Sequence, residues 1–262
     1  MPPKQPSSQD LISIADALEP ALQAAGRVIL ALYAKPEHTV STKSDLSPVT
    51  DADLASHELL IKALAEITPN WPVVSEEDQA IEAVAAGTYW LLDPLDGTKE
   101  FIARTGEFSI NLGLVVDHQA WFGLLFGPVD QVLFRGGRGL PAEMRRANDG
   151  WQRISCRPRP QDGGVLISSR RSAATPPGET FSSREHLGSA LKFAHIAQGL
   201  ADLYLRRGPT MEWDTCAGQA ILESAGGSVM TLDANHGPTN QALRYGKPGY
   251  LNPGFIAFGG SR

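Results

Sequence analysis

The chain carries two cysteines in 262 residues, Cys156 and Cys216, too few for a disulfide framework. A reducing compartment, the cytoplasm, is therefore expected, with peripheral attachment to the inner face of the membrane as the other arrangement. No apolar run approaches the ~18 residues of a membrane span, so no transmembrane segment is expected. The opening MPPKQPSSQD is polar and lacks the apolar core of a signal peptide. Internal repeats and long low-complexity tracts are missing too. The six histidines show no metal-ligand spacing, and Gly136-Gly137-Arg138-Gly139 lacks the lysine and hydroxyl residue that a phosphate loop requires, so it reads as a hairpin turn. A net charge of −6 does not suit a nucleic-acid duplex.

What is present is an uneven distribution of charge. Acidic residues gather between Asp45 and Glu100, and arginines between Arg135 and Arg171. That pairing suits a bound cation together with an anionic small molecule. Apolar spacing predicts a helix over 8–34, kinked or broken at Pro20, and a second one after Thr50 that Pro69 stops. Short strands are expected at 73–75 and 89–93, then an antiparallel meander over 108–135. The Gly-, Pro- and Arg-rich stretch 136–164 is the expected boundary between an N-terminal part, 1–150, and a C-terminal part, 151–262. Beyond it, strands at 165–168, 203–205, 229–232 and 255–258 mix with helices at about 189–201 and 214–225. Strands and helices mix without strict alternation, which implies an α+β layered fold.

Four acids fall where a strand ends or a helix begins: Glu76 in PVVSEED, Asp93 and Asp96 in LLDPLDGT, and Asp214 in EWDTCAG. Each has an ordinary explanation. Asp-Pro-x-Asp-Gly is good turn chemistry, SEED suits a solvated loop, and Asp214 suits an N-cap. Together they also suit a hard divalent cation, which takes carboxylate oxygens and relieves the cost of leaving such groups beside apolar structure.

SDLSPVTDAD, SEED, DPLDGTKEF, GSALKF, WDTCAG and LNPGF stand in the order found in the 3′(2′),5′-bisphosphate nucleotidases. The chain thus resembles that family, within the lithium-sensitive, Mg²⁺-dependent inositol monophosphatase superfamily, over roughly 40–255. Lys99-Glu100-Phe101 stands where inositol monophosphatases have Thr-Asn-Phe, and Ala190 replaces a usual serine. The resemblance implies an α/β/α/β/α sandwich of the inositol monophosphatase and fructose-1,6-bisphosphatase type. It also implies removal of the 3′-phosphate of adenosine 3′,5′-bisphosphate, with 3′-phosphoadenosine 5′-phosphosulfate as a second substrate and a place in sulfur assimilation. Inositol phosphate or fructose 1,6-bisphosphate hydrolysis is the alternative, and a non-catalytic nucleotide or cation sensor the remote one.

By the same resemblance two or three Mg²⁺ ions bind. Glu76, Asp93 and the Leu95 carbonyl would hold one ion, and Asp93, Asp96 and Asp214 a second, clamping an in-line attack by activated water. Glu76, Leu95, Asp96, Gly97, Thr98, Ser189, Lys192 and Asp214 would face the substrate. Thr98 would orient the water and pass its proton to a carboxylate. Asp45 is preferred for that role and Asp53 is the competitor, although Thr50-Asp51-Ala52-Asp53 also reads as a capping box opening the second helix. Lys43, Arg170 and Arg171 are further candidates for phosphate contacts, each better explained as a solvated surface residue.

Overall fold

The structure is a computed structural model. It describes residues 5–35, 40–42, 48–78, 84, 87–147, 149–161, 163–170 and 172–260, with side chains described for all of these except 40–42 and 48–49. Asp45, Lys43 and Arg171 therefore lie outside the described residues.

Helix α1, Ser8–Tyr33, starts at a capping box in which Ser7 and Asp10 satisfy each other's backbone N–H groups. It runs unbroken through Pro20, contrary to the break that proline suggests. Burial of Leu11, Leu18, Leu22 and Ile29 against the sheet outweighs one lost backbone hydrogen bond. After the short pair β1 (Val40–Thr42) and β2 (Pro48–Thr50), helix α2 covers Asp51–Ile67. It begins at the expected Thr50–Asp53 capping box. Both helices pack on one face of a seven-stranded sheet through Leu60, Leu64, Trp90, Leu92, Leu112, Leu114 and Leu124.

That sheet contains β3 (Val73–Ser75), β4 (Thr88–Asp96), β5 (Ser109–Val116), β6 (Gln119–Gly127), β7 (Val132–Gly137), β8 (Leu140–Arg146) and β9 (Gln152–Arg153), side by side in chain order. The short helix α3, Thr98–Ile102, follows β4. Only β3 runs parallel to its neighbour; the rest is the expected meander, extended by two strands. The extension was not read from the sequence, because β8 lies in the Gly- and Arg-rich stretch and alternates only weakly. Gly136–Gly139 does form the hairpin end, with Gly137 paired to Leu140 and Gly139 at φ +76°.

A second sheet is built from β10 (Val165–Ser168), β11 (Ser183–His186), β12 (Leu203–Arg206), β14 (Ser228–Leu232), β15 (Pro238–Ala242) and β17 (Phe255–Phe258), in the order β11-β10-β12-β17-β14-β15. The pair β13 (Thr210–Met211) and β16 (Leu251–Asn252) stands apart. Helices α4 (Leu191–Ala197) and α5 (Cys216–Ser224) fill the space between the two sheets, around Phe193, Ile196, Ile221, Leu222, Tyr204 and Phe255. The outcome is an α+β sandwich with the order helices, sheet, helices, sheet. Ala174 and Phe181 cover the outer face of the second sheet, and there Pro176, Pro177 and Gly178 keep the chain in a loop. No described helix is long and apolar enough to cross a membrane.

Glycines decide where α5 lies. Gly113, Gly123 and Gly136 are paired across β5, β6 and β7, making a groove free of side chains on the face opposite α1 and α2. A Cβ on Gly123 would stand 2.2 Å from the Ala217 carbonyl oxygen, and one on Gly113 2.6 Å from Cys216. Helix α5 thus sits against the strand backbones, with its first residue beside β5. That close approach carries Asp214, two residues earlier, toward the tip of β4.

Candidate active site

Strand β4 continues through Pro94 to Asp96, where the sequence suggested a strand ending at Asp93 and a turn. Asp93 pairs with Asn111 and Asp96 with Ser109, so three steps on β4 match two on β5. This is a bulge, the one strand-interior setting where a proline that cannot donate is tolerated. Strict alternation would send Asp93 and Asp96 to opposite faces; the extra residue brings both onto the α5 face. Ser56 Oγ donates to the Pro94 carbonyl at 2.8 Å and fixes the bulge from α2. Gly97 follows at φ +98°, where a Cβ would stand 3.0 Å from the Glu107 carbonyl oxygen, and opens α3.

Glu76 comes from the end of β3, its N–H donating to the Leu92 carbonyl at 3.1 Å. Asp214 closes the 3₁₀ turn Glu212–Asp214 before α5, and its carboxylate accepts from the Met211 N–H at 3.0 Å. One carboxylate oxygen each from Glu76, Asp93 and Asp214 lie within 4.8 Å of one another. Asp96 stands beside this trio with its Oδ2 engaged, accepting from Asn111 Nδ2 at 3.0 Å and from the Ala190 N–H at 2.6 Å. Asn111 had no signal in the sequence beyond its place in an apolar strand.

Such an arrangement strains its own charges. Burial first, then the nearby Glu76, Asp96, Asp214 and Asp53, raises Asp93 well above the ordinary carboxylate range. Asp214 rises for the same reasons, burial and then Asp96 and Glu76. Asp96 is pushed up to about 6 by burial, against the opposing pull of Lys192 and the Asn111 and Ala190 hydrogen bonds. Carboxylates converging in a buried setting want a compact cation of high charge, and an all-oxygen set suits Mg²⁺ rather than a softer metal. The residues fit that ion.

Next to the acids is a hydroxyl–carboxylate pair. Thr98 Oγ1 donates to Asp53 Oδ1 at 3.1 Å and also lies 3.4 Å from the Leu95 carbonyl. The other Asp53 oxygen accepts from the Thr50 N–H at 2.8 Å and the Thr50 hydroxyl at 2.6 Å. One carboxylate thus caps α2 and holds Thr98. Burial raises its pKa despite those hydrogen bonds.

A cavity of about 430 Å³ opens over these groups. Its acidic end holds Glu76, Asp93, Asp96 and Asp214, with Gly97 and Thr98 beside them; Lys192, Arg170 and Arg206 line the rest. Ser189 and Lys192 both line the cavity, as expected. Lys192 Nζ donates to the carbonyls of Leu187 (3.2 Å) and Ser189, and stands 5.1 Å from the centre of the Tyr204 ring. Burial pulls its ammonium down to about 8, opposed by Asp96 and Glu100. Arg206 was missed by the sequence reading. It ends a buried strand, and nothing local in LYLRRG marks which arginine faces a cavity.

The chain matches the inositol monophosphatase family over residues 10–257. The chain belongs to the inositol monophosphatase family. Within it, the chain is 38% identical over 241 residues to the 3′(2′),5′-bisphosphate nucleotidase CysQ of Escherichia coli O157:H7, covering 88% of this chain and 94% of that one. Its fold matches the crystal structure of CysQ from Bacteroides thetaiotaomicron with a TM-score of 0.78 and 35% identity, over 94% of this chain and 97% of the other. An inositol monophosphatase from Anabaena matches with a TM-score of 0.73 and 26% identity, over 96% and 92%. Inositol monophosphatase family members are generally Mg²⁺-dependent, in keeping with the acidic cluster.

Proposed function

We propose that this chain is a Mg²⁺-dependent phosphatase that removes the 3′-phosphate of adenosine 3′,5′-bisphosphate, leaving AMP and phosphate, and accepts 3′-phosphoadenosine 5′-phosphosulfate as a second substrate in sulfur assimilation. One observation carries this reading: a single cavity has a carboxylate end suited to metal and a cationic end suited to a second anionic group. The likeness to two CysQ proteins points the same way.

Glu76, Asp93 and the Leu95 carbonyl would hold one ion, and Asp93, Asp96 and Asp214 a second. When bound, Mg²⁺ supplies Lewis acidity and offsets charge on the phosphoryl oxygens. The protein groups do the rest. Thr98 Oγ1, held by Asp53 Oδ1 at 3.1 Å, is placed to accept a proton from the attacking water while its own proton passes to Asp53. The raised pKa of Asp53 suits a proton acceptor better than an ordinary surface carboxylate would. That hydrogen bond supports Asp53 over Asp45 for the role. As water bonds to phosphorus, the P–O bond to the 3′-oxygen breaks on the opposite side, and the departing oxygen takes a proton from solvent to become the hydroxyl of AMP. N–H groups near Gly97 and Thr98 face the phosphate. Lys192 and Arg206 receive the remote phosphate, and Ser189 adds a hydroxyl.

The test is phosphate release from adenosine 3′,5′-bisphosphate against inositol 1-phosphate and fructose 1,6-bisphosphate, with Mg²⁺ and with chelator. Mg²⁺-dependent release with the bisphosphate nucleotide preferred is the expected result. Preference for inositol 1-phosphate would overturn the substrate assignment, and no release from any ester would leave a nucleotide or cation sensor.

A further inference from the structure

Glu107 joins three segments that are far apart in the sequence. Its Oε2 accepts from Arg170 Nε at 3.0 Å and from the Gly188 N–H at 3.0 Å, and its Oε1 pairs with an Arg170 terminal nitrogen. The carboxylate is mostly covered, with 14% of its side chain exposed, whereas the Arg170 side chain is half exposed. Arg170 lines the active-site cavity and also a neighbouring groove of about 390 Å³ that holds Arg184 and His186. It is thus part of the wall between the two.

We propose that Glu107 is a positioning residue: it holds the Arg170 guanidinium over the cationic end of the cavity, where it meets the remote anionic group of the substrate. An arginine so placed would otherwise lose much side-chain freedom on binding, and pre-pairing through two nitrogens removes part of that cost. The Nη1 edge of the guanidinium has no hydrogen bond among the described residues and is left for the ligand. Gly188 gives the contact its fixed geometry. A Cβ there would stand 2.4 Å from the Glu107 carbonyl oxygen and 2.7 Å from Glu100 Cγ, so the backbone is drawn in tight against Glu107. The residue after Gly188 is Ser189, so one carboxylate sets two parts of the binding wall. The Glu107 carboxylate bonds to Arg170 and the Gly188 N–H rather than to the acidic cluster, and Glu107 does not line the active-site cavity.

This inference rests on the bisphosphate reading given above, and the test separates the two. Glu107→Gln keeps an oxygen for the Gly188 N–H but presents an amide that cannot bind Arg170 through two oxygens. The variant is compared with wild type on adenosine 3′,5′-bisphosphate and on 3′-AMP, which lacks the remote phosphate. Expected is a KM for the bisphosphate raised about tenfold with kcat within about twofold, and an unchanged KM for 3′-AMP. In an Arg170→Ala background, Glu107→Gln should add nothing further, because its effect passes through Arg170. Equal KM changes on both substrates, or effects that add in the double variant, would overturn the assignment. A thermal melt of each variant identifies loss of fold, which would lower kcat on both substrates. If wild type itself shows no preference for the bisphosphate over 3′-AMP, the substrate reading fails rather than the role of Glu107 alone.

Discussion

Asp53 carries two duties on two oxygens, and they can be separated by measurement. Oδ2 caps α2 through Thr50, and Oδ1 holds the Thr98 hydroxyl. Asp53→Asn should therefore cost about 1 kcal/mol of stability through the cap, and about 10²–10⁴-fold in kcat through the lost base. Thr98→Ala should lower kcat similarly, and the pair of changes together should be little worse than either, since both act on one proton. Asp45→Asn is the comparison. Full turnover in Asp53→Asn, with loss in Asp45→Asn, would reverse the assignment.

At the scale of elements, the site depends on a helix lying on bare strand backbones. Gly113, Gly123 and Gly136 form the groove that receives α5, and α5 follows directly on Asp214. Gly123→Ala would drive a methyl group into the Ala217 carbonyl, so α5 must lift. Overpacking of this kind costs ~1–3 kcal/mol, and the lift should also carry Asp214 out of the acidic cluster. We expect a lower Tm together with a weaker apparent affinity for Mg²⁺. Gly150→Ala, where no atom stands within 4 Å of a Cβ, should change neither. A Gly123→Ala protein with a lowered Tm and unaltered Mg²⁺ dependence would show that Asp214 is positioned independently of α5.

For the molecule as a whole, the acidic cluster works against folding until a cation arrives. Asp96 has a folded pKa of about 6 against an ordinary 3.8, and Asp93, Asp214 and Asp53 shift in the same direction. A carboxyl whose pKa is raised on folding keeps its proton in the folded state while the unfolded chain releases it. Stability from these groups is therefore present at low pH and is lost as pH rises from about 4 through 6. In chelator, Asp93→Asn removes a fully buried charge and keeps the acceptor for the Leu95 N–H. The Tm gap between Asp93→Asn and wild type should widen from pH 4 to pH 7, with the variant the more stable. Added Mg²⁺ should raise the Tm of wild type and leave that of the variant nearly unchanged, because only the intact cluster binds it. A gap that stays flat across that pH range would mean Asp93 is not the strained charge described here.

Local pattern was enough for most of the elements: α1 and α2 bury one face each, which leaves its period in the sequence, and β4, β5 and β7, buried on both faces, stand out as apolar strand runs. The extent of the first sheet was not legible, since β8 lies half-covered among glycines and arginines and carries little alternation. The residue types of the candidate site were legible as well: carboxylates at strand ends and helix starts, and a hydroxyl after Gly97. Their geometry was not. Asp93 and Asp96 share a face because of one extra residue in β4, a bulge whose register is set by pairing with β5. Asp214 reaches Asp93 because glycines on three neighbouring strands let α5 come close, and Glu107 reaches Arg170 and Gly188 across 63 and 81 positions of chain. Residue type and local spacing fix what a group can do. Only the packing of distant segments, through contacts that leave no local period, decides which groups meet.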